Sequence, residues 1–549
     1  MLSLPRPARS PRLRRFWQRI GPWRVFAVLA GGLLFTPILV TLLSWLNPDH
    51  EVWRHLASTL LPEILRNTAI LIFGVGSAVM ALGVGLAWLT AVCEFPGRRF
   101  FDWALMLPLA VPAYVLAFVF IGFFEYAGPL QTGLRGLLGP DFELPSVRSA
   151  PGVVLVMTLV FYPYVYMLTR AAFLGQGRGP LEAARIQGLT PWAAFFRVAV
   201  PMARPAIAAG TALALMETLA DFGAVAIFNF ETFTTAIYRA WFGFYSINAA
   251  AQLAAILLLI ILAGLWVERR ARGRARFSQG STQHLERIQL RGWRRWAATA
   301  AASTVLSLGF VLPMIQLLIW ASRRLEDLDS TYWSLIQNTL TLGASAAALT
   351  VLIALLLAYA RRVQPDRLTQ RAVTAATLGY ALPGAVLAVG IMLALTWLDH
   401  LIANLVGPWG GLGTTFLAGS IFALLLAYVV RFMAVAYGAV DSSLERVRPV
   451  LRDAARSLGA GDREVIRRIY VPMLAPGLLT ALLLVGVDVM KEMPATLLLR
   501  PFGWDTLAVR IYEFTTEGVW ERAAVPAITL VGVGLLPVIL LVRGSIRGR

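Results

Sequence analysis

In 549 residues the sequence holds one cysteine, Cys93, and one lysine, Lys491. A lone cysteine cannot close an intrachain disulfide, so no disulfide scaffold holds this chain. Histidine is almost as scarce, and His50, His55, His284 and His400 are scattered without the spacing of metal ligands. There is no Gly-x-x-x-x-Gly-Lys-Ser/Thr phosphate loop. Lys491 stands in Val489-Met490-Lys491-Glu492 without the glycines such a loop needs, so any ATP is hydrolysed by another chain. No nucleophile and base are set out in a catalytic pattern, so neither a catalytic residue nor a cofactor is expected, and a metal site is left unassigned.

Charge is also in short supply: 14% of residues are charged against 58% hydrophobic. This is the composition of a chain solvated mainly by lipid. The formal charge of +19 does not point to nucleic acid, because the arginines fall between apolar stretches instead of forming one basic face. Stretches of roughly 20 apolar residues, enough for a helix to cross about 30 Å of hydrocarbon, recur along the chain. They are expected near 25–46, 66–92, 101–124, 151–172, 205–228, 248–267, 297–320, 336–360, 371–397, 412–436, 474–498 and 523–543. The arginine-rich start from Arg6 to Arg24 resembles a signal peptide, but the apolar run after it is long enough to span and is read as an uncleaved first helix. Arginine is concentrated in every second connection, which places those connections and both termini in the cytoplasm. The expected fold is an all-α integral membrane protein of about twelve transmembrane helices, with the lipid bilayer as its surroundings.

The two halves repeat. Asn67-Thr68 recurs as Asn338-Thr339 and Pro112 as Pro383, both at an offset of 271 residues. The same offset carries Gly188 to Gly459, Pro201 to Pro472, Glu217 to Asp488 and Asp221 to Glu492. The chain therefore reads as a first six-helix unit at 1–267, a basic linker at 268–296 and a second six-helix unit at 297–549. Even span counts insert both units the same way, about an axis along the membrane normal. The linker, with Gly273, Ser278, Gly280 and Ser281, reads as a solvated cytoplasmic connector or a contact for anionic lipid.

Between the fourth and fifth spans of each unit lies a short polar motif. It reads Glu182-Ala183-Ala184-Arg185-Ile186-Gln187-Gly188 in the first unit and Asp453-Ala454-Ala455-Arg456-Ser457-Leu458-Gly459 in the second, and a proline, Pro201 or Pro472, follows each glycine thirteen residues on. The acid suits the first turn of a helix and the glycine suits its end. Paired alanines leave a narrow surface that can seat in a partner's groove, while Arg185 and Arg456 reach for acids beside it.

The motif resembles the EAA element of permeases from type I binding-protein-dependent ABC importers. The resemblance implies that each short helix couples to one of two copies of an ABC ATPase subunit. The coupling positions are then Glu182, Ala183, Ala184 and Gly188 in the first copy and Asp453, Ala454, Ala455 and Gly459 in the second, where aspartate shortens the reach. It also implies a periplasmic solute-binding protein as partner and the bacterial cytoplasmic (inner) membrane as location.

Inside otherwise apolar spans stand acids four residues apart, Glu217 with Asp221 and Asp488 with Glu492, a spacing that puts each pair on one helix face. Ionisable groups at this depth face a bundle interior or a wet path, so these are candidate pathway residues, or else they pair internally for packing, with Lys491 beside Glu492. The strings Glu217-Thr218-Leu219-Ala220-Asp221-Phe222-Gly223 and Lys491-Glu492-Met493-Pro494 resemble those of fused ferric-iron permeases, and essentially the whole chain fits that layout. Related fused permeases carry thiamine, and others polyamines or phosphonates. Carboxylates suit ferric iron as hard oxygen ligands but also suit a cationic vitamin or a polyamine. An ion-coupled secondary transporter would use the same acids as proton or sodium sites.

Overall fold

The computed structural model describes residues 21–46, 48, 50–176, 179–272, 287–406, 416–448 and 450–547. The arginines from Arg6 to Arg19, Arg178 and the linker's Gly273, Ser278, Gly280, Ser281 and His284 lie outside them. Among the described residues, 12 helices are long and apolar enough to cross a membrane. They are Pro22–Leu46, Leu61–Val92, Ala113–Leu138, Ala150–Gly175, Pro191–Ala220, Ile247–Glu268, Trp293–Ser322, Ser330–Val363, Gly384–Leu405, Ile421–Glu445, Asp462–Lys491 and Trp520–Ile539.

Four of these differ from the sequence expectation for identifiable reasons, and one is the span expected at 371–397, where a short helix Arg367–Ala376 and a 3₁₀ turn Leu378–Ala381 precede the helix that begins at Gly384. The expected span at 101–124 is interrupted: a short helix Arg98–Ala104 and a 3₁₀ turn Leu107–Ala110 precede the helix that begins at Ala113. Pro108 and Pro112 lack the amide hydrogens an unbroken helix would need there. The expected spans at 205–228 and 474–498 stop early, at Ala220 and Lys491, and a new short helix starts within three residues of each.

Prolines also set a repeated irregularity. The segments Phe195–Ala199, Ser307–Val311 and Ile466–Tyr470 are π-helical, and in each a proline (Pro201, Pro313, Pro472) follows two residues after the segment ends. Proline cannot donate to the carbonyl four residues back, so the ladder slips by one residue. The Val200 amide accordingly donates to the Phe195 carbonyl, and Val471 to Ile466.

By contacts the chain forms two compact units that cut across the sequence halves. The first comprises Met1–Val40, Leu340–Leu382 and Gly390–Val489; the second comprises Thr41–Thr339, Pro383–Val389 and Met490–Arg549. In the first unit the opening helix of the chain packs on second-half elements. A Cβ on Gly31 would lie 2.5 Å from the Ala372 carbonyl oxygen, so only glycine allows this approach. Trp23 stacks edge-on against Tyr359 at 4.7 Å, and Arg24 donates to Asp366 at 3.0 Å. Asp366 caps the helix Arg367–Ala376, accepting from the Leu368 and Thr369 amides. Burial opposes its charge, but the hydrogen bonds from Thr369 and the Arg24 guanidinium outweigh that and hold its carboxyl below the usual range. Arg362 donates to the carbonyls of Leu444 and Val447, which closes the end of the helix Ile421–Glu445.

In the second unit the exchange is mirrored, with the helix pair Trp293–Leu306 and Leu312–Ser322 packed on first-half elements. The Thr299 hydroxyl donates to the Pro96 carbonyl at 2.9 Å. Phe118 is stacked between Trp320 and Trp520, at 6.2 and 6.4 Å, contacts worth about 0.5–1.5 kcal/mol each beyond burial. The described end of the linker is pinned: Ile288–Gln289 pairs in parallel with Cys93–Glu94 as a two-stranded ribbon. Trp293 and Trp296 beyond it are exposed.

Candidate functional site

Each polar motif folds as a short helix, Gly179–Ile186 and Val450–Ser457, with its acid in the first turn. There the negative charge meets the positive end of the helix dipole. Glu182, Ala183, Asp453 and Ala454 are exposed, whereas Ala184 is buried and Ala455 half-buried. The acid and first alanine therefore face outward while the second alanine seats the helix on its own chain. Gly188 and Gly459 have φ of +79° and +88°. The Leu189 amide donates to the Ala184 carbonyl at 3.0 Å, and Ala460 does the same to Ala455 at 3.0 Å. These are Schellman closures, and they need a left-handed residue. A Cβ at either glycine would meet nothing within 4 Å, so the requirement is one of backbone conformation alone. Beside the helices, Ile186 and Leu458 are 87% and 89% exposed, an apolar offer to a partner.

One residue of this region carries no signal in the repeat. Asp462 accepts from Trp23 Nε1 at 2.9 Å, from the Tyr359 hydroxyl at 2.8 Å and from Arg456 at 2.6 Å. Arg456 is therefore engaged by Asp462 of its own chain; the Arg185 side chain is not among those described. At the repeat offset Asp462 falls on Pro191, so comparing the halves could not find it. In the first copy an aromatic cluster stands in that place, with Trp88 on Phe195 at 4.9 Å and on Phe173 at 5.6 Å.

The intramembrane acids divide. Glu217 and Asp488 stay within their helices, half-buried, but the helices end at Ala220 and Lys491, one residue before Asp221 and Glu492. The members of each pair thus do not share a helix face, as their spacing had suggested. The second acid serves the next short helix instead: Asp221 Oδ1 accepts from the Ala224 amide at 2.9 Å and Val225 at 3.3 Å, and Glu492 Oε1 from Ala495 at 3.2 Å. This is side-chain capping at a break in a membrane-depth helix. Lys491 extends to the Leu109 carbonyl at 3.3 Å.

The duplicated Asn-Thr pair has a role the sequence did not disclose. Asn67 donates to the Glu231 carbonyl at 2.9 Å, and Asn338 to the carbonyls of Gly503 and Asp505, each at 3.1 Å. Both asparagines tie a long helix to the loop that follows the broken one. Above the first break lies a cavity of about 670 Å³ lined by Phe222, Asn229, Glu231, Tyr238, Arg239 and Tyr512, among others. The Phe222 ring is 5.4 Å from both Tyr238 and Tyr512, and Arg239 is paired with Glu231.

The described residues thus hold two helix breaks, two short motif helices and twelve membrane-length helices. The signature of binding-protein-dependent transport system inner membrane components matches residues 51–276 and again 351–547. The chain belongs to this family. It is a multi-pass inner-membrane permease of the ABC importer class, with the type I fold present twice. The Fe(3+)-transport system permease protein FbpB 2 of Haemophilus influenzae is 28% identical over 486 residues, 87% of this chain and 89% of that protein. A probable ABC transporter permease, y4fN of Sinorhizobium fredii, is 24% identical over 492 residues, 84% of each. The molybdenum transport system permease ModB of Escherichia coli K12 is 29% identical over 210 residues, 36% of this chain and 88% of its own length.

Proposed function

We propose that this permease translocates ferric iron handed over by a periplasmic binding protein, and that two copies of a separate ABC ATPase drive it through Glu182–Gly188 and Asp453–Gly459. The observation that carries the cargo is the carboxylate at each helix break, Asp221 and Glu492, whose hard anionic oxygens suit a trivalent cation and oppose an oxyanion. The ferric relative, aligned along both halves, supports the same choice. The molybdenum relative matches a single-unit length only.

In this reading the halves 1–267 and 297–549 act as the two permease units, joined by 268–296, and both termini are cytoplasmic. The cavity above Phe222 then opens outward, where the binding protein docks. ATP-driven closure of the ATPases pulls on the coupling helices and switches the path between outward and inward access.

The test is uptake by vesicles holding the permease with its ATPase and binding protein, using ferric iron, thiamine, molybdate and sulfate in parallel, with and without ATP. Iron uptake that needs ATP and is lost when Glu182 and Asp453 are replaced supports cargo and coupling together. Thiamine or oxyanion uptake in place of iron overturns the cargo. Uptake driven by an ion gradient without the ATPase overturns the coupling.

A further inference from the structure

The two helix breaks meet. A Cβ built on Gly223 would lie 2.7 Å from Met493 Cε and 2.7 Å from Tyr114 Cβ. The backbone just past Asp221 is thus pressed against the residue after Glu492 and against the start of the helix Ala113–Phe124. Tyr114 is 5% exposed, and its hydroxyl has no hydrogen-bond partner among the described residues. A buried hydroxyl without a partner is a cost that phenylalanine at the same place would avoid. Asp221 stands two residues before Gly223 and Glu492 one residue before Met493, so both acids flank the backbone that meets Tyr114. The cavity of about 670 Å³ ends on Phe222, the residue between Asp221 and Gly223.

We propose that the Tyr114 phenol oxygen, with one carboxylate from each helix break, Asp221 and Glu492, forms a transient all-oxygen site for a trivalent metal cation in passage. The inference deepens the ferric reading and rests on it. Two carboxylates and a phenolate are hard donors whose three negative charges match a trivalent cation. Asp221 caps its short helix through Oδ1, so ligation through its second oxygen leaves that helix in place. Binding exchanges the phenolic proton for a metal–oxygen bond; the proton leaves to cavity water, the iron stays ferric and no electron moves. Lys491, next to Glu492 and held at the Leu109 carbonyl, weakens cation binding through like charge. That suits a site which must also release its occupant.

Two readouts test this. The purified permease is titrated with ferric nitrilotriacetate while phenolate-to-iron charge-transfer absorption is followed in the visible. In parallel, iron uptake and ATP hydrolysis are measured in the complete importer. Tyr114→Phe removes one oxygen, and Asp221→Asn and Glu492→Gln keep a capping oxygen, so each variant folds; thermal unfolding confirms it. Wild type is expected to show the band and Tyr114→Phe to lose it. Each variant is expected to take up iron at least tenfold more slowly while binding-protein-stimulated ATP hydrolysis persists. A band that survives Tyr114→Phe, no band in a wild type that still imports iron, or unchanged uptake by Tyr114→Phe overturns the site and leaves the ferric reading standing. Import of molybdate or sulfate in place of iron overturns both.

Discussion

Replacing Gly188 or Gly459 separates two accounts of why each short motif helix ends in glycine. If the glycine exists to let a partner approach closely, any side chain hurts and a larger one hurts more. The structure argues for backbone conformation instead, since φ is +79° and +88° and a Cβ would meet nothing within 4 Å. An L-residue other than glycine forced left-handed costs about 1–2 kcal/mol, which corresponds to roughly a five- to thirtyfold loss of the closed helix end. Asparagine tolerates this region far better than alanine because its side chain bonds locally. Gly188→Ala and Gly459→Ala should therefore lower binding-protein-stimulated ATP hydrolysis about five- to thirtyfold, and the Asn variants should recover most of it. Amide exchange at Leu189 and Ala460, whose hydrogen bonds close the ends, should accelerate in the same order. Asn variants as impaired as Ala, or more so, would refute the backbone argument and point to contact with the partner.

Asp462→Asn removes the charge that gathers Trp23, Tyr359 and Arg456; a loss of about 1–3 kcal/mol is expected and is read as a lowered thermal midpoint in detergent, with Pro191→Ala, at the matching position of the first half, as the near-neutral comparison. Asn338→Ala should loosen 503–507 more than Asn67→Ala loosens 229–232, because Asn338 serves two carbonyls and Asn67 one, and limited proteolysis of the two loops ranks them. Asp366 has a depressed carboxyl in the folded chain, so its stabilising contribution is full above its unfolded value of about 4 and lost as pH falls through the lower folded value. Asp366→Asn keeps the helix cap but drops the charge, so the variant should be less stable than wild type near neutrality and converge with it in acid, followed by thermal unfolding across that range.

The membrane spans, the duplication and both short motif helices were legible because each rests on a local signal: hydropathy over about 20 residues, a constant offset, or a glycine at a helix end. The exchange of first helices between halves has no such signal, since the contact of Gly31 with Ala372 joins residues far apart in sequence. The helix breaks were hidden for a different reason. Acids spaced by four look the same on a continuous helix and across a break where the second acid caps the next helix. Pro494 hinted at a restart, because proline suits the first turn, but its counterpart at the offset is Gly223, where the hint is much weaker.

What the repeat makes visible also bounds what it can reveal. The coupling glycines, the break acids and the loop-tying asparagines are duplicated, and each does the same physical task in both halves. Asp462, Lys491 and Tyr114 are single: at the offset they face Pro191, Ala220 and Ala385. In the proposed reading the motif acts on two ATPases and is needed twice, so comparing the halves finds it. In the proposed ferric reading the cargo ion crosses at one place, where each half supplies one carboxylate. A third ligand there has no reason to be copied, because a second phenol would serve a second ion that the path does not hold. Placing a tyrosine at Ala385 should therefore not substitute for Tyr114: Tyr114→Phe combined with Ala385→Tyr should stay as slow in iron uptake as Tyr114→Phe alone. Recovery in the double variant would mean that the path reads the two halves as equivalent, and that the single tyrosine is an accident of divergence.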